Sequence, residues 1–398
     1  MLKITPHTKL KSTSKFLFIS ILAALAMPAH SVWISTPNVR DGLQLYVGGS
    51  VNPRLSTTSD KFNYTMADPA IYGKDGTLAD VLADQDRKDA DERLKAEGLD
   101  DAGIELYVTQ ALTKKLKLGG TTYLYYNQNS STNYGALWGV SLDFGSFGEL
   151  GRVTVGDGWT RLPVKQTDVD NILQSRGTNI SARYTKIPNL TLAGYHLFNA
   201  SPDVNSRYQF GLHKSSGVSA GYEFDFGARN NLTLAAGYTK SEGHKDPYYA
   251  EEISQGESYL VGIGLQDNNL KLGLDYGQRN NKYNGFWWDN LNTKVYGVKA
   301  TYEFTPRLSG TLSYAHKTDT NGKAVSFKDL AKHQNVNEAQ FFEKVKQDRY
   351  LAKLEYQLYK NISLNGEVSN TQTKNYVTEG EFSKRDRLYT SVGASFSF

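Results

Sequence analysis

The stretch Tyr134-Gly-Ala-Leu-Trp-Gly-Val-Ser-Leu-Asp-Phe144 decides how this chain is read. Ala136, Trp138, Val140, Leu142 and Phe144 share one parity, and Leu137, Gly139, Ser141 and Asp143 share the other. Successive side chains of a strand point to opposite faces, so the stretch is a strand with one apolar and one mostly polar surface. The pattern returns at Val218, Ala220, Tyr222, Phe224 and Phe226. It returns again at Tyr350, Ala352, Leu354, Tyr356 and Leu358, with Arg349, Lys353 and Glu355 opposite.

Sixteen segments carry this alternation: 42–50, 102–111, 115–126, 134–144, 149–157, 177–186, 189–199, 217–227, 231–240, 256–266, 269–279, 293–304, 308–318, 347–358, 361–371 and 386–398. Segment 189–199 is ambiguous, because Leu190 and Leu192 compete with Ala193, Tyr195 and Leu197 for the apolar face. The gaps alternate strictly. After odd-numbered segments they hold 7 to 51 residues, and after even-numbered ones 4 or fewer. The short gaps have turn chemistry, as in Ala228-Arg229-Asn230, Asp267-Asn268 and Thr305-Pro306-Arg307. An even strand number with all long loops at one end predicts an all-β, 16-stranded antiparallel transmembrane β-barrel with long outer loops and short periplasmic turns. Aromatics close the segments at both ends. Phe144, Tyr184, Phe226, Phe304, Tyr356 and Phe398 lie at one end, and Tyr126, Tyr238, Tyr276 and Tyr314 at the other. Such rings form the interfacial girdles of membrane barrels.

Composition agrees once the barrel is assumed. Of 398 residues only 39% are hydrophobic, and mean hydropathy is −0.51. That is too polar for a helical membrane protein, but only one face of each barrel strand meets lipid. The chain has no cysteine, which excludes disulfide frameworks and thiol catalysis. Residues 1–31 read as a secretory signal peptide. Lys3, Lys9, Lys11 and Lys15 precede the apolar run Phe16 to Met27, and Ala29-His30-Ser31 is a small-residue cleavage site. These four lysines account for the whole formal charge of +4, so residues 32–398, a single barrel domain, are neutral. A nucleic-acid partner is thereby excluded. Val32 to Asp41 is left open as a tail, a strand extension or a short plug.

Three segments resemble the Gram-negative general porin family, the trimeric 16-stranded outer-membrane diffusion channels. They are Phe144-Gly-Ser-Phe-Gly-Glu-Leu-Gly-Arg-Val-Thr-Val-Gly156, Asn179-Ile-Ser-Ala-Arg-Tyr184 with Pro188, and the final Leu388-Tyr-Thr-Ser-Val-Gly-Ala-Ser-Phe-Ser-Phe398. The family's acidic Pro-Glu-Phe-Gly-Gly motif is absent. The resemblance implies passive diffusion of ions and small hydrophilic solutes through a water-filled channel, with no cofactor. It implies a homotrimer embedded among outer-membrane lipid and lipopolysaccharide. It also implies recognition of Phe398 by the outer-membrane assembly machinery. Residues 158–176 correspond to the family's constriction loop.

Charges on opposing walls of a narrow channel set a field across it. The loop candidates for this constriction are Arg161, Lys165, Asp168 and Asp170, with Arg176 where the loop rejoins the wall. Strand phase adds Glu105, Lys117, Arg152 and Arg183. Over all strands the inward set is mixed. Lys271, Lys299, Lys317, Lys353 and Arg387 are balanced by Asp143, Glu223, Asp225, Asp275, Glu303, Glu355 and Glu367. Trp159, Trp287 and Trp288 are candidates for stacking on sugar rings, which keeps an oligosaccharide-selective channel as the alternative. An adhesive, structural or enzymatic barrel is a further alternative. The five histidines after the signal peptide are scattered, with no HExxH or GxSxG motif, so no catalytic or metal residues are assigned. The first outer loop, 51–101, carries 12 acids and 7 bases, and Thr77 to Leu99 has helix-forming composition, as does Asn337 to Lys346.

Overall fold

The computed structural model describes residues 32–35, 43–64, 95–111, 117–126, 135–139, 142–146, 152–160, 162–200, 212–243, 253–283, 290–322, 343–377 and 380–397. They form one antiparallel sheet. Its first half comprises β1 (Val32–Ser35), β2 (Leu43–Tyr64), β3 (Lys95–Ala111), β4 (Lys117–Tyr126), β5 (Gly135–Gly139), β6 (Leu142–Ser146), β7 (Arg152–Trp159), β8 (Arg176–Tyr184) and β9 (Leu190–Ala200). The second half comprises β10 (Leu212–Asp225), β11 (Asn230–Gly243), β12 (Ile253–Asp267), β13 (Leu270–Tyr283), β14 (Asn290–Thr305) and β15 (Leu308–Asn321). It ends with β16 (Lys344–Tyr359), β17 (Ile362–Val377) and β18 (Gly380–Ser397). Neighbours in sequence are neighbours in space, and β18 pairs back onto β2 from Ser383↔Tyr64 to Ser397↔Ser50. The sheet therefore closes on itself as a barrel, which leaves no edge unpaired in lipid.

The described parts of all sixteen expected segments fall on strands, and among the described residues the sheet is recorded in eighteen pieces. Segment 134–144 is described on both sides of residues 140–141, as β5, which pairs with β4, and as β6, which pairs with β7. β1 is additional. It pairs Val32↔Val47 to Ser35↔Gln44, below the point where β18 ends. Of the readings left open for Val32 to Asp41, its first four residues are a strand. The expected first outer loop, 51–101, is narrower. β2 runs on to Tyr64 and β3 starts at Lys95, with Thr58 opposite Lys95. Lys95 to Leu99 are therefore strand, not helix, as are Lys344 to Lys346. Each gains cross-strand hydrogen-bond partners that a helix at these positions would forgo. Residues 77–94 and 337–342 of the two helix-like stretches lie outside the described residues, as do residues 1–31 and Phe398.

The short turns lie at one end. Asn189, Arg229 and Asn268 take positive φ there (63°, 68° and 50°), as tight turns demand. The long connections lie at the other end. Along β10 the outward set is Val218, Ala220, Tyr222 and Phe224, as expected. Along β14 it is Tyr296, Val298, Ala300, Tyr302 and Phe304. The outward apolar side chains are exposed, 61% at Val218, 66% at Leu312 on β15 and 70% at Val392 on β18. A belt of that extent marks a surface for a nonaqueous medium. Inward positions carry Lys271 bonded to Glu303 at 3.1 Å and Lys353 to Glu355 at 2.8 Å. The ambiguous β9 resolves with Leu190 and Leu192 outward, while Ala193, Tyr195 and Leu197 point in. Its inward face is apolar because something packs on it from inside.

The register of β14 is directly testable. Val298→Arg on the belt should cost about 2–4 kcal/mol near the bilayer midplane. Thr301→Arg on the inward face should leave folding into lipid vesicles nearly unchanged. Denaturant titration of both variants measures the contrast, and equal penalties would show the faces to be exchanged.

Candidate functional site

β7 and β8 leave the sheet side by side, with Trp159 opposite Arg176. The loop between them is 160–175, one strand residue or two shorter at each end than the expected 158–176. Its neck is stapled. The Thr160 amide donates to the Ser175 carbonyl at 2.7 Å, and the Ser175 amide donates to the Thr160 hydroxyl at 2.9 Å. From this neck the chain does not go outward. It crosses the lumen and lies on the inner wall of β9 to β15.

The sequence explains why. In Leu162-Pro-Val-Lys165 the apolar residues alternate with exposed Pro163 and Lys165, so one side can be buried. Val169, Ile172 and Leu173 continue that underside after a turn. All five pack against Tyr195, Leu197, Ala235, Leu260 and Val295 on the wall. Each fully buried side chain of this size contributes about 1.5–3 kcal/mol. The wall admits them because it is glycine-rich. A Cβ at Gly237 would lie 2.7 Å from Leu173 and 2.9 Å from Val164. One at Gly297 would lie 2.6 Å from Val169 and 2.7 Å from Thr167.

Polar clamps fix the register. Asp275, 5% exposed, accepts the Gln166 amide at 3.0 and 2.9 Å, the Thr167 amide at 2.6 Å and the Thr167 hydroxyl at 2.7 Å. Arg279 donates to the Ile172 carbonyl and, at 2.8 Å, to the Ser258 hydroxyl. Tyr195 donates to the Leu173 carbonyl at 3.3 Å. At the tip Asp168 meets Lys299 at 3.0 Å and Asp170 meets Lys317 at 2.9 Å. Half-exposed ion pairs contribute about 0–1 kcal/mol each. The apolar underside therefore holds the loop, and the charges decorate what remains open.

Beside the tip lies a cavity of about 300 Å³ lined by Asp168, Asp170, Lys317, Arg349, Arg387 and Tyr389. Two loop carboxylates thus stand against basic groups from β14, β15, β16 and β18. Burial alone would raise the Asp168 carboxyl. Hydrogen bonds from Ser313 and Lys299 and the charges of Lys299 and Lys165 outweigh it and hold the group below its ordinary 3.8.

Of the expected constriction residues, Lys165, Asp168 and Asp170 come together here. Arg183 faces inward but lines a separate cavity of about 260 Å³ with Pro163 and Glu223, near the short turns. Arg152 is its direct partner across β7 and β8. Arg152, Arg176, Lys117, Glu105 and Trp159 occupy strand positions, but their side chains, with all of Arg161, Trp287 and Trp288, lie outside the described residues. Lys299, Lys317, Arg349 and Arg387 were legible as inward-facing but not as partners of the loop. Asp275 and Arg279 were not legible as clamps, since nothing in local sequence says that a loop more than a hundred residues earlier lies on them.

Asp275→Ala orphans three donors, at about 1–3 kcal/mol each. Tryptic cleavage after Lys165 in the folded barrel should rise by roughly tenfold or more, with barrel unfolding little changed. Unaltered resistance would remove Asp275 from the clamp. The acid response of Asp168 has a definite sign. Because its folded value is depressed, its contribution is complete above 3.8 and is lost only as pH falls through the lower folded value. Ion selectivity should therefore hold steady from about pH 7 to about pH 5 in reversal-potential measurements, and a change in that interval would contradict the pairing.

No family model and no curated protein matches this chain. Solved structures do. An anion-selective porin from Comamonas acidovorans aligns over 90% of this chain and 100% of its own, at 14% identity and a TM-score of 0.56. The outer membrane channel DcaP of Acinetobacter baumannii aligns over 90% and 98%, at 15% identity and 0.56. Salmonella typhi OmpF, in a complex with daunomycin, aligns over 90% and 98%, at 14% identity and 0.52. With its closed antiparallel sheet and inward-folded loop, the chain has the β-barrel fold of the Gram-negative outer-membrane porins.

Proposed function

We propose that this protein is an outer-membrane porin of a Gram-negative bacterium, a water-filled channel for passive diffusion of ions and small hydrophilic solutes. The observation that carries this reading is the loop 160–175 docked inside the barrel, which narrows the lumen to a passage walled by opposed charges. Such a passage discriminates by size and charge and needs no cofactor and no bond chemistry. Residues 1–31 would direct export, and Phe398 would be read by the assembly machinery. A homotrimer fits the same reading.

The constriction is built from Asp168, Asp170 and Lys165 on the loop and Lys299, Lys317, Arg349 and Arg387 on the wall. Basic groups outnumber acidic ones, so weak anion preference is the expected resting behaviour. The oligosaccharide alternative rests on Trp159, Trp287 and Trp288, and no described side chain favours it.

Planar-bilayer recording tests both the channel and its eyelet. The folded protein should give large, stable, ohmic steps, and silence from folded protein would end the porin reading. Asp168→Asn with Asp170→Asn should move the reversal potential further toward anions. Arg349→Gln with Arg387→Gln should move it toward cations. If neither pair shifts it, these residues do not line the narrowest point.

A further inference from the structure

The cavity at the short-turn end of the lumen holds chemistry that the eyelet does not use. Its volume is about 260 Å³, and Pro163, Arg183, Thr191, Gly221, Glu223 and Thr233 line it. Two opposite charges share this cavity without meeting. Elsewhere on the inner wall opposite charges close on each other: Lys271 on Glu303 at 3.1 Å, Lys299 on Asp168 at 3.0 Å, Lys317 on Asp170 at 2.9 Å and Lys353 on Glu355 at 2.8 Å. Arg183 and Glu223 are both exposed, and among the described residues neither has an ion pair. Glu223 is held rather than neutralised, since the Asn231 side-chain amide donates to one of its oxygens at 3.1 Å and leaves the other open. Arg152 stands directly opposite Arg183 on β7. Like charges at directly opposite positions weaken a sheet, and an anion shared between them relieves the cost.

The register says how far apart Arg183 and Glu223 stand. Arg183 pairs with Ala193 on β9, and Ala193 pairs with Ser219 on β10, four residues before Glu223. Two strand spacings and four residues put roughly 16 Å between the two backbones. The long side chains of arginine and glutamate bridge part of that gap, and the remainder is the length of a small molecule, not of a bond. Midway lies Gly221, opposite Thr191. A Cβ at Gly221 would meet the Ala235 Cβ at 3.5 Å and the Leu234 carbonyl at 3.7 Å, both ordinary contacts. At Gly237 and Gly297 the missing side chain makes room for the docked loop. At Gly221 the room stays open, and a bare glycine inside a strand is where a ligand can approach the backbone closely.

A solute that satisfies both groups must itself carry an anion and a cation a short distance apart. We propose that this cavity binds small zwitterions of dipeptide size, with the free carboxylate on Arg183 and the free ammonium on Glu223. A guanidinium fork takes a carboxylate by two parallel hydrogen bonds. The Thr191 and Thr233 hydroxyls serve the peptide group between the two charges. The site deepens the porin reading and rests on it, since solute reaches the cavity through the lumen. Both charged groups are open to water, so each contact is weak. Weak retention is what a channel needs, because the solute must also leave.

Saturation-transfer NMR on the full folded chain in non-ionic detergent tests it, with alanylalanine as probe. A saturable signal is expected. N-acetyl-alanylalanine lacks the ammonium and alanylalanine amide lacks the carboxylate, and each should bind about threefold more weakly. Arg183→Gln should erase the preference for a free carboxylate and keep that for a free ammonium. Glu223→Gln should do the reverse. Gly221→Val, which fills the space between the two charges, should abolish the signal, and the two charge variants carry the test if Gly221→Val does not fold. Equal binding of all three peptides, or preferences unchanged in both charge variants, overturns the proposal. So does tighter binding of the acetylated peptide, which would make Arg152 and Arg183 a plain anion site. Selective binding in a barrel that does not conduct would sink the channel reading and leave this site standing. Ohmic conductance with no saturable signal would do the opposite.

Discussion

The seam between β18 and β2 is the constraint on which everything else rests. A sheet in hydrocarbon cannot leave an edge, because each unmet amide or carbonyl costs several kcal/mol, roughly, with no water to meet it. The run of partners from Ser383↔Tyr64 to Ser397↔Ser50 removes that edge. Closure then forces each strand to show one face to lipid and one to the lumen. The bare apolar belt and the inward ion pairs are both consequences of it.

Inside the closed sheet a second problem arises, since a barrel this wide has no core. The loop 160–175 supplies one. Leu162, Val164, Val169, Ile172 and Leu173 make with the wall the largest buried apolar cluster among the described residues. In the proposed channel the same docking builds the constriction. It brings Asp168 and Asp170 to Lys299 and Lys317 and leaves a charged passage beside them. The loop thus has two sides, apolar beneath where it packs and charged above where the passage lies.

Period-two alternation made the strands legible at once, because a strand with one wet and one oily face has no other pattern to adopt. It failed at β9, where the inward residues Tyr195 and Leu197 are as apolar as the outward ones. The loop covers them there, so the lumen wall is locally a core. It also fell short at strand ends. Alternation fades beyond the membrane, yet pairing continues from Ser50 to Tyr64 and from Lys344 to Lys346, because backbone hydrogen bonds remain favourable in water. β1 was beyond reach for a similar reason: four residues are too few to show a period.

By itself the sequence determined the class of structure and, where alternation is clear, the direction of the strand side chains. Parity along a strand is local, and alternating gap lengths assign the two ends. Lys299, Lys317, Arg349 and Arg387 were therefore known to point inward before their partners were. Only the tertiary structure decided which inward residues meet the loop. That choice depends on where glycines such as Gly237 and Gly297 let a backbone approach, and on where Asp275 waits for the amides of Gln166 and Thr167. These contacts join residues more than a hundred positions apart, on strands that local sequence does not relate to the loop.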